Sequence, residues 1–130
     1  MKAPARILAA LLAAVAWARV GSLLEQAPAA ASNTRNPFES DERARRAGEK
    51  LYRRECASCH GLTREGIGKA PPLNAFTLSG ASAGAVFWVL RNGSLQRGMP
   101  SFAHLPEAQR WQIITYLRGE ARAKTSAVPR

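Results

Sequence analysis

Cys56-Ala57-Ser58-Cys59-His60 decides how the rest of this chain is read. Two thiols separated by two residues, with an imidazole directly after the second, form the pattern for covalent haem attachment, in which each thiol adds to a porphyrin vinyl group and the histidine ligates the iron. These are the only cysteines in the 130 residues. The same pair also fits a redox dithiol or half of a zinc site. A structural zinc needs four protein ligands and a catalytic one three, and a thioredoxin-like dithiol belongs near a βαβ pattern that the sequence does not show. Haem attachment is the reading these residue types favour.

A haem-ligating histidine raises the question of a second axial ligand. Apart from Met1 the chain has one methionine, Met99, set in Gly98-Met99-Pro100-Ser101-Phe102. Gly and Pro make this a turn rather than a helical stripe, which leaves the thioether free to point inward. A lone Met is more often a gap-filler in an apolar core, but the flanks here favour ligation. His104, five residues on and just before an expected helix, is the other candidate; an open sixth position is the third reading.

With the ordered set Cys56-Ala57-Ser58-Cys59-His60, Pro71-Pro72-Leu73 and Gly98-Met99-Pro100 in view, residues 40–119 resemble a small bacterial class I mono-haem cytochrome c. The resemblance implies an all-α cytochrome c fold, three main helices and long loops wrapped around one covalently bound haem c. It also implies that Gly48 and Tyr52 on the first helix cross Tyr116 on the last, and that Pro71 and Leu73 belong to the haem site. In such a domain the carbonyl of Pro71 would accept the second ring N–H of His60 and fix its tautomer. The cofactor-binding residues are then Cys56, Cys59, His60, Pro71, Leu73 and Met99, with His60 and Met99 on the iron. The loop from Gly61 to Pro71 is short, as in compact bacterial domains.

Outward from the motif, Ser40 reads as the N-cap of a helix that begins with Asp41 and Glu42, acidic groups suited to the positive end of its dipole. Ala44, Ala47, Gly48, Leu51 and Tyr52 fall on one stripe of that helix, which runs directly into the motif. The Gly, Pro and Asn content of 61–79 predicts a loop, long for a compact domain unless it has a haem to wrap. A second helix is expected over 82–92, capped by Ser82 and stopped by Gly93. Its run Val86-Phe87-Trp88-Val89-Leu90 is apolar all round, which implies burial on more than one side. The last helix should start at about Pro106, bury Trp111, Ile113, Ile114 and Leu117, and stop at Gly119. Residues 120–130 then read as a flexible basic tail.

The N-terminal end reads as a targeting segment over residues 1–31: Lys2 and Arg6, the apolar run Ile7 to Ala18, and a small-residue cleavage site at Ala29-Ala30-Ala31. That run is too short for an ordinary membrane span, and an uncleaved anchor is the alternative. Residues 32–39 read as a linker or extended arm. Either form of the leader exports the domain, so the expected location is periplasmic or extracytoplasmic, soluble or anchored through the N-terminal segment.

A haem iron held on both sides by protein has no vacant site for a substrate, so its chemistry is gain or loss of one electron. The expected function is therefore a one-electron carrier or an electron-accepting subunit, not an enzyme by itself. A haem enzyme or ligand sensor, in which Met99 is displaced, is the alternative; against it, His104 stands without an acid/base partner. A third class is a module that holds haem structurally. The net charge is +10, and Arg53, Arg54, Lys69, Arg64, Arg91 and Arg97 lie near the ligands in sequence. A basic rim of this kind would steer an acidic redox partner, a dehydrogenase, oxidase or reductase. An anionic membrane surface suits the same charge. Nucleic acid is excluded as a partner, because no binding motif is present and an exported haem protein does not meet it.

Overall fold

The computed structural model describes residues 23–126, so the basic start and the whole apolar run of the targeting segment lie outside the described residues. Among the described residues the helices with both ends defined are, in order, α1 Ala29–Ser32, α2 Glu42–Glu55, α3 Ala57–His60, α4 Ala75–Leu78, α5 Ala83–Asn92 and α6 Glu107–Ser126, with a 3-10 turn over Leu95–Arg97. Extended pairing among the described residues is limited to two isolated bridges, Ile67 with Ala70 and Ser94 with Met99. The fold is all-α, and α2, α5 and α6 are its three main helices.

The acidic start of α2 works one residue later than the sequence suggests. Asp41, rather than Ser40, is the N-cap: its Oδ1 accepts from the backbone N–H of Arg43 at 2.8 Å and of Ala44 at 3.1 Å. A carboxylate satisfies two orphan donors and meets the helix dipole, which a serine hydroxyl does less well. Ala44, Gly48, Leu51 and Tyr52 are buried as the stripe predicts. They face α6, whose Trp111, Ile113, Ile114, Tyr116 and Leu117 are also buried.

The α2–α6 crossing depends on one absent methylene. A Cβ at Gly48 would stand 1.9 Å from the carbonyl oxygen of Gln112 and 3.0 Å from Cβ of Tyr116. Beside this approach the rings of Tyr52 and Tyr116 meet at 5.5 Å between centroids, tilted by 50°. The resemblance anticipated this contact of Gly48, Tyr52 and Tyr116.

Helix α5 keeps its expected limits. Ser82 Oγ accepts from Ala85 N at 3.1 Å, and Gly93 follows the last turn at φ 66°. Gly84, Ala85, Val86, Val89 and Leu90 are buried on it, while Phe87 is half-buried and stacks on Trp111 of α6 at 4.0 Å. The 61–79 loop is irregular apart from α4, one turn that the sequence reading did not separate out. Asn74 starts it by accepting from Thr77 N at 3.0 Å through its side chain.

The C-terminal boundary differs from expectation. Gly119 does not stop α6, which continues to Ser126; the glycine lies where Arg45 of α2 passes, with Cδ of Arg45 3.0 Å from the position of an added Cβ. The stretch expected as a flexible tail is thus helical over its first part, and residues 127–130 lie outside the described residues.

The segment before α2 is tied to the domain. Leu24 packs against the core cluster, and α1 lies on α5 so closely that a Cβ at Gly84 would stand 2.0 Å from the carbonyl oxygen of Ala31. Within 32–39, read as a linker or arm, Asn36 is buried and its Nδ2 donates to Thr115 Oγ1 at 2.9 Å. The hydroxyl of Thr115 has the carbonyl oxygens of Trp111 and Phe38 at 3.0 and 3.1 Å as acceptors for its own proton. A buried Asn–Thr pair of this kind shows only when α6 is brought against the arm.

Candidate metal centre

Helix α2 ends at Glu55, and the chain turns through Cys56 into the single turn α3 that carries the motif. The backbone N–H groups of Cys59 and His60 donate to the carbonyl of Cys56 at 3.2 and 2.9 Å, so both thiols and the imidazole come from one tight turn. Cys56 is buried and Cys59 exposed, and no disulfide joins them. Burial pushes the Cys56 thiol up to about 12, with the nearby Glu55 and Cys59 adding to it.

His60 is half-buried, and its Nδ1 lies 2.8 Å from the carbonyl oxygen of Pro71. A carbonyl only accepts, so Nδ1 carries the proton and Nε2 is left with its lone pair. This is the state a histidine needs to ligate a metal. The loop around it is held from two sides. The hydroxyl of Tyr52 donates to the carbonyl of Gly61 at 2.7 Å, and Gly66 N donates to the carbonyl of His60 at 2.8 Å. Leu73 is half-buried against the core, and its N–H donates to the carbonyl of Arg64 at 3.0 Å.

Met99 is half-buried and packs against the same core cluster. Its backbone is fixed by a mutual pair with Ser94, Ser94 N to Met99 O at 2.8 Å and Met99 N to Ser94 O at 3.0 Å, next to Gly98 in the left-handed conformation at φ 82°. His104, the other candidate, is exposed beside the ring of Phe102, with the two rings 6.0 Å apart.

The residues present fit a covalently attached haem. The thiols are unpaired, the histidine has the correct tautomer, and the large exposed hydrophobic side chains among the described residues are Leu62, Ile67 and Leu95, the last 81% exposed. Leu62 and Ile67 follow His60 in the loop that Pro71 closes, and Leu95 precedes Met99 in the turn that presents it. Apolar groups left open at such places suit a flat apolar body lying against them. Among the described residues no three His, Cys, Asp or Glu side chains come together, so the zinc reading lacks its ligands.

Arg64 and Arg110 were not singled out for the interior. Arg64, expected on an exposed rim, is 6% exposed: its guanidinium stands over the Tyr116 ring at 5.0 Å, and Nη1 donates to the Leu117 carbonyl at 3.4 Å. Its backbone takes a positive φ of 62°, a conformation uncommon outside glycine. A loop arginine gives no sequence signal of burial. Arg110 is 8% exposed. A signal for it does exist, because it stands three, four and seven residues before Ile113, Ile114 and Leu117, a charge on an apolar stripe.

The family described as cytochrome C oxidase, cbb3-type, subunit III matches residues 43–117, more than half of the chain. Among solved structures, cytochrome CL from the marine methylotrophic bacterium Methylophaga aminisulfidivorans MPT is similar, with a TM-score of 0.57 and 25% sequence identity over 65% of this chain. The chain spans 58% of the length of that protein. No curated protein matches it. The matched span contains the whole Cys56–His60 motif, and the helices around it have the cytochrome c arrangement. The chain therefore belongs to the cbb3-type cytochrome c oxidase subunit III family and is a mono-haem c-type cytochrome, with its haem c held covalently through Cys56 and Cys59.

Proposed function

We propose that this cytochrome is an exported one-electron carrier, or the electron-accepting subunit of a complex, whose single haem iron is held between His60 and Met99. The observation that carries the reading is the Nδ1–H of His60 on the carbonyl of Pro71 at 2.8 Å, which leaves Nε2 as the nitrogen available to a metal. When bound, the haem supplies reversible gain and loss of one electron at iron, at a potential raised by a His/Met pair.

The chain's own residues do the rest. Cys56 and Cys59 hold the group in place, Pro71 and Tyr52 orient His60 and its loop, and the Ser94–Met99 pair presents the thioether. With both axial positions filled by protein, no coordination site is left for a substrate, which favours the carrier over the enzyme or sensor reading. A thioether-linked haem and a leader-like N-terminus support a periplasmic or other extracytoplasmic location. Among the described residues no helix is long and apolar enough to cross a membrane.

The surface charge supports an acidic partner. Arg46, Arg53 and Arg54 of α2 are paired with Glu42, Glu49 and Glu55 at 3.5, 2.9 and 2.5 Å. Their charge is largely matched within the helix. Lys69 and Arg91 are exposed, on the loop before Pro71 and at the end of α5. With the exposed apolar Ile67 and Leu95 near them in sequence, these charges favour an acidic redox partner. The family's description names an oxidase subunit, which favours an oxidase among the dehydrogenase, oxidase and reductase alternatives.

Carbon monoxide tests the closed iron. Added to the reduced protein, it should leave the absorption spectrum unchanged; ready binding would move the protein to the ligand-binding class.

A further inference from the structure

We propose that Arg110 is a positioning residue for the sixth haem ligand, clamping the loop that carries Met99 against α5 and α6. The inference rests on the reading of Met99 as ligand. One guanidinium nitrogen, Nη1 of Arg110, donates to three carbonyls of that loop: Phe102 at 3.3 Å, Ala103 at 3.2 Å and Leu105 at 3.2 Å. Its Cζ stands 4.9 Å from the centre of the Phe87 ring, and Phe87 is stacked on Trp111 at 4.0 Å. The arginine thus joins α5, the loop and α6 at one point.

Nothing about helix stability explains the residue. It lies in the first turn of α6, where a positive charge opposes the helix dipole. It is buried, its Nε has no hydrogen-bond partner, and among the described residues it meets no carboxylate. A buried guanidinium without a counter-charge is costly. What it gains is the set of three carbonyls that the turn after Met99 exposes to no other donor from α6. Lysine would keep the charge but lacks the flat guanidinium that lies over the Phe87 ring.

The rest of the loop is tethered to α5. Phe102 N donates to the carbonyl of Leu90 at 2.8 Å, and Ser101 Oγ to that of Arg91 at 2.5 Å. Met99 itself pairs with Ser94 just beyond α5. Released by Arg110, the loop would remain attached to α5 but could swing away from α6. The thioether would then leave the iron more often, without unfolding of the domain.

The test is the limiting rate at which imidazole displaces the methionine in the ferric, haem-bearing protein, read as loss of the weak near-infrared band of sulfur-to-iron charge transfer. Wild type, R110Q, R110K and a T115V control are compared, each with its denaturation midpoint. Thr115 bonds Asn36 and Phe38 from α6 and does not touch the Met99 loop. R110Q should accelerate displacement by about tenfold or more, as expected for hydrogen bonds from a charged donor. R110K should fall between it and wild type, and T115V should stay near the wild-type rate whatever its midpoint. The proposal is overturned if R110Q is no faster than wild type, or if T115V accelerates equally for an equal loss of midpoint. Should R110Q yield no haem-bearing protein, R110K against T115V decides by the same comparison. A wild type without the near-infrared band removes the Met99 reading itself, whereas a band present and an unchanged R110Q remove only the role of Arg110.

Discussion

The hydroxyl of Tyr52 donates to the carbonyl oxygen of Gly61 at 2.7 Å, tying the last turn of α2 to the residue that follows His60. Both groups are buried. Tyr52→Phe keeps the ring against Tyr116 but removes the shorter of that carbonyl's two hydrogen bonds, leaving the Arg64 N–H at 3.2 Å, which should cost about 0.5–1.5 kcal/mol. Burial also pushes the Tyr52 phenol well above its ordinary range, with Tyr116 adding to the effect. In the unfolded chain the phenol loses its proton near about pH 10, while the folded state keeps it. The stability tied to this proton is therefore fully present below that pH and lost above it. Denaturation of the haem-bearing protein at about pH 8 and about pH 11 should show a larger alkaline fall for wild type than for Tyr52→Phe.

Gly48→Ala should be among the most damaging single changes in the domain. The added methyl would meet the Gln112 carbonyl, a backbone group that cannot rotate away, so α2 and α6 must separate. Overpacking of this kind costs about 1–3 kcal/mol, and more where backbone is the obstacle. A chemical-denaturation curve checks it, and a variant within a few tenths of a kcal/mol of wild type would contradict the crossing described here.

The motif residues and the three main helices were legible because each rests on a local rule: ligand spacing for Cys56, Cys59 and His60, stripe periodicity for α2 and α6, and the Ser82 and Gly93 caps for α5. The family resemblance added the His60–Pro71 bond and the Tyr52–Tyr116 contact, which no local rule contains. What stayed hidden depends on partners far along the chain. Asn36 reads as a loop residue until Thr115 meets it, Gly119 reads as a helix stop although nothing after it breaks α6, and Arg64 reads as a surface charge until Tyr116 supplies a ring beneath it. The N-cap shifted from Ser40 to Asp41 because two good capping residues are adjacent.

The arm before α2 should matter to stability. A chain beginning at Ser32 would lose Leu24 from the core and uncover the Gly84 side of α5, where the carbonyl of Ala31 now sits. Loss of a half-buried leucine and its surroundings should cost about 1–2 kcal/mol. Comparing the thermal midpoint of that chain with one beginning at Leu23 measures it, and equal midpoints would mean that the arm contributes nothing.

Charge reversal at Lys69 or Arg91 should slow electron transfer to an acidic redox protein several-fold at low ionic strength, with little effect at high salt, because exposed charges act through steering that salt screens. Arg53→Glu, whose charge is already met by Glu49 at 2.9 Å, should have a smaller effect. Stopped-flow rates across a salt series separate the two cases. Equal slopes for all three variants would place the docking face elsewhere.

The most direct test of the central claim is the near-infrared spectrum of the oxidised protein, wild type beside Met99→Ala. Closure of the iron by His60 and Met99 predicts a weak sulfur-to-iron band in the wild type that disappears in the variant, together with carbon monoxide binding gained on reduction of Met99→Ala. A wild type without the band, or a band that survives the substitution, would contradict it.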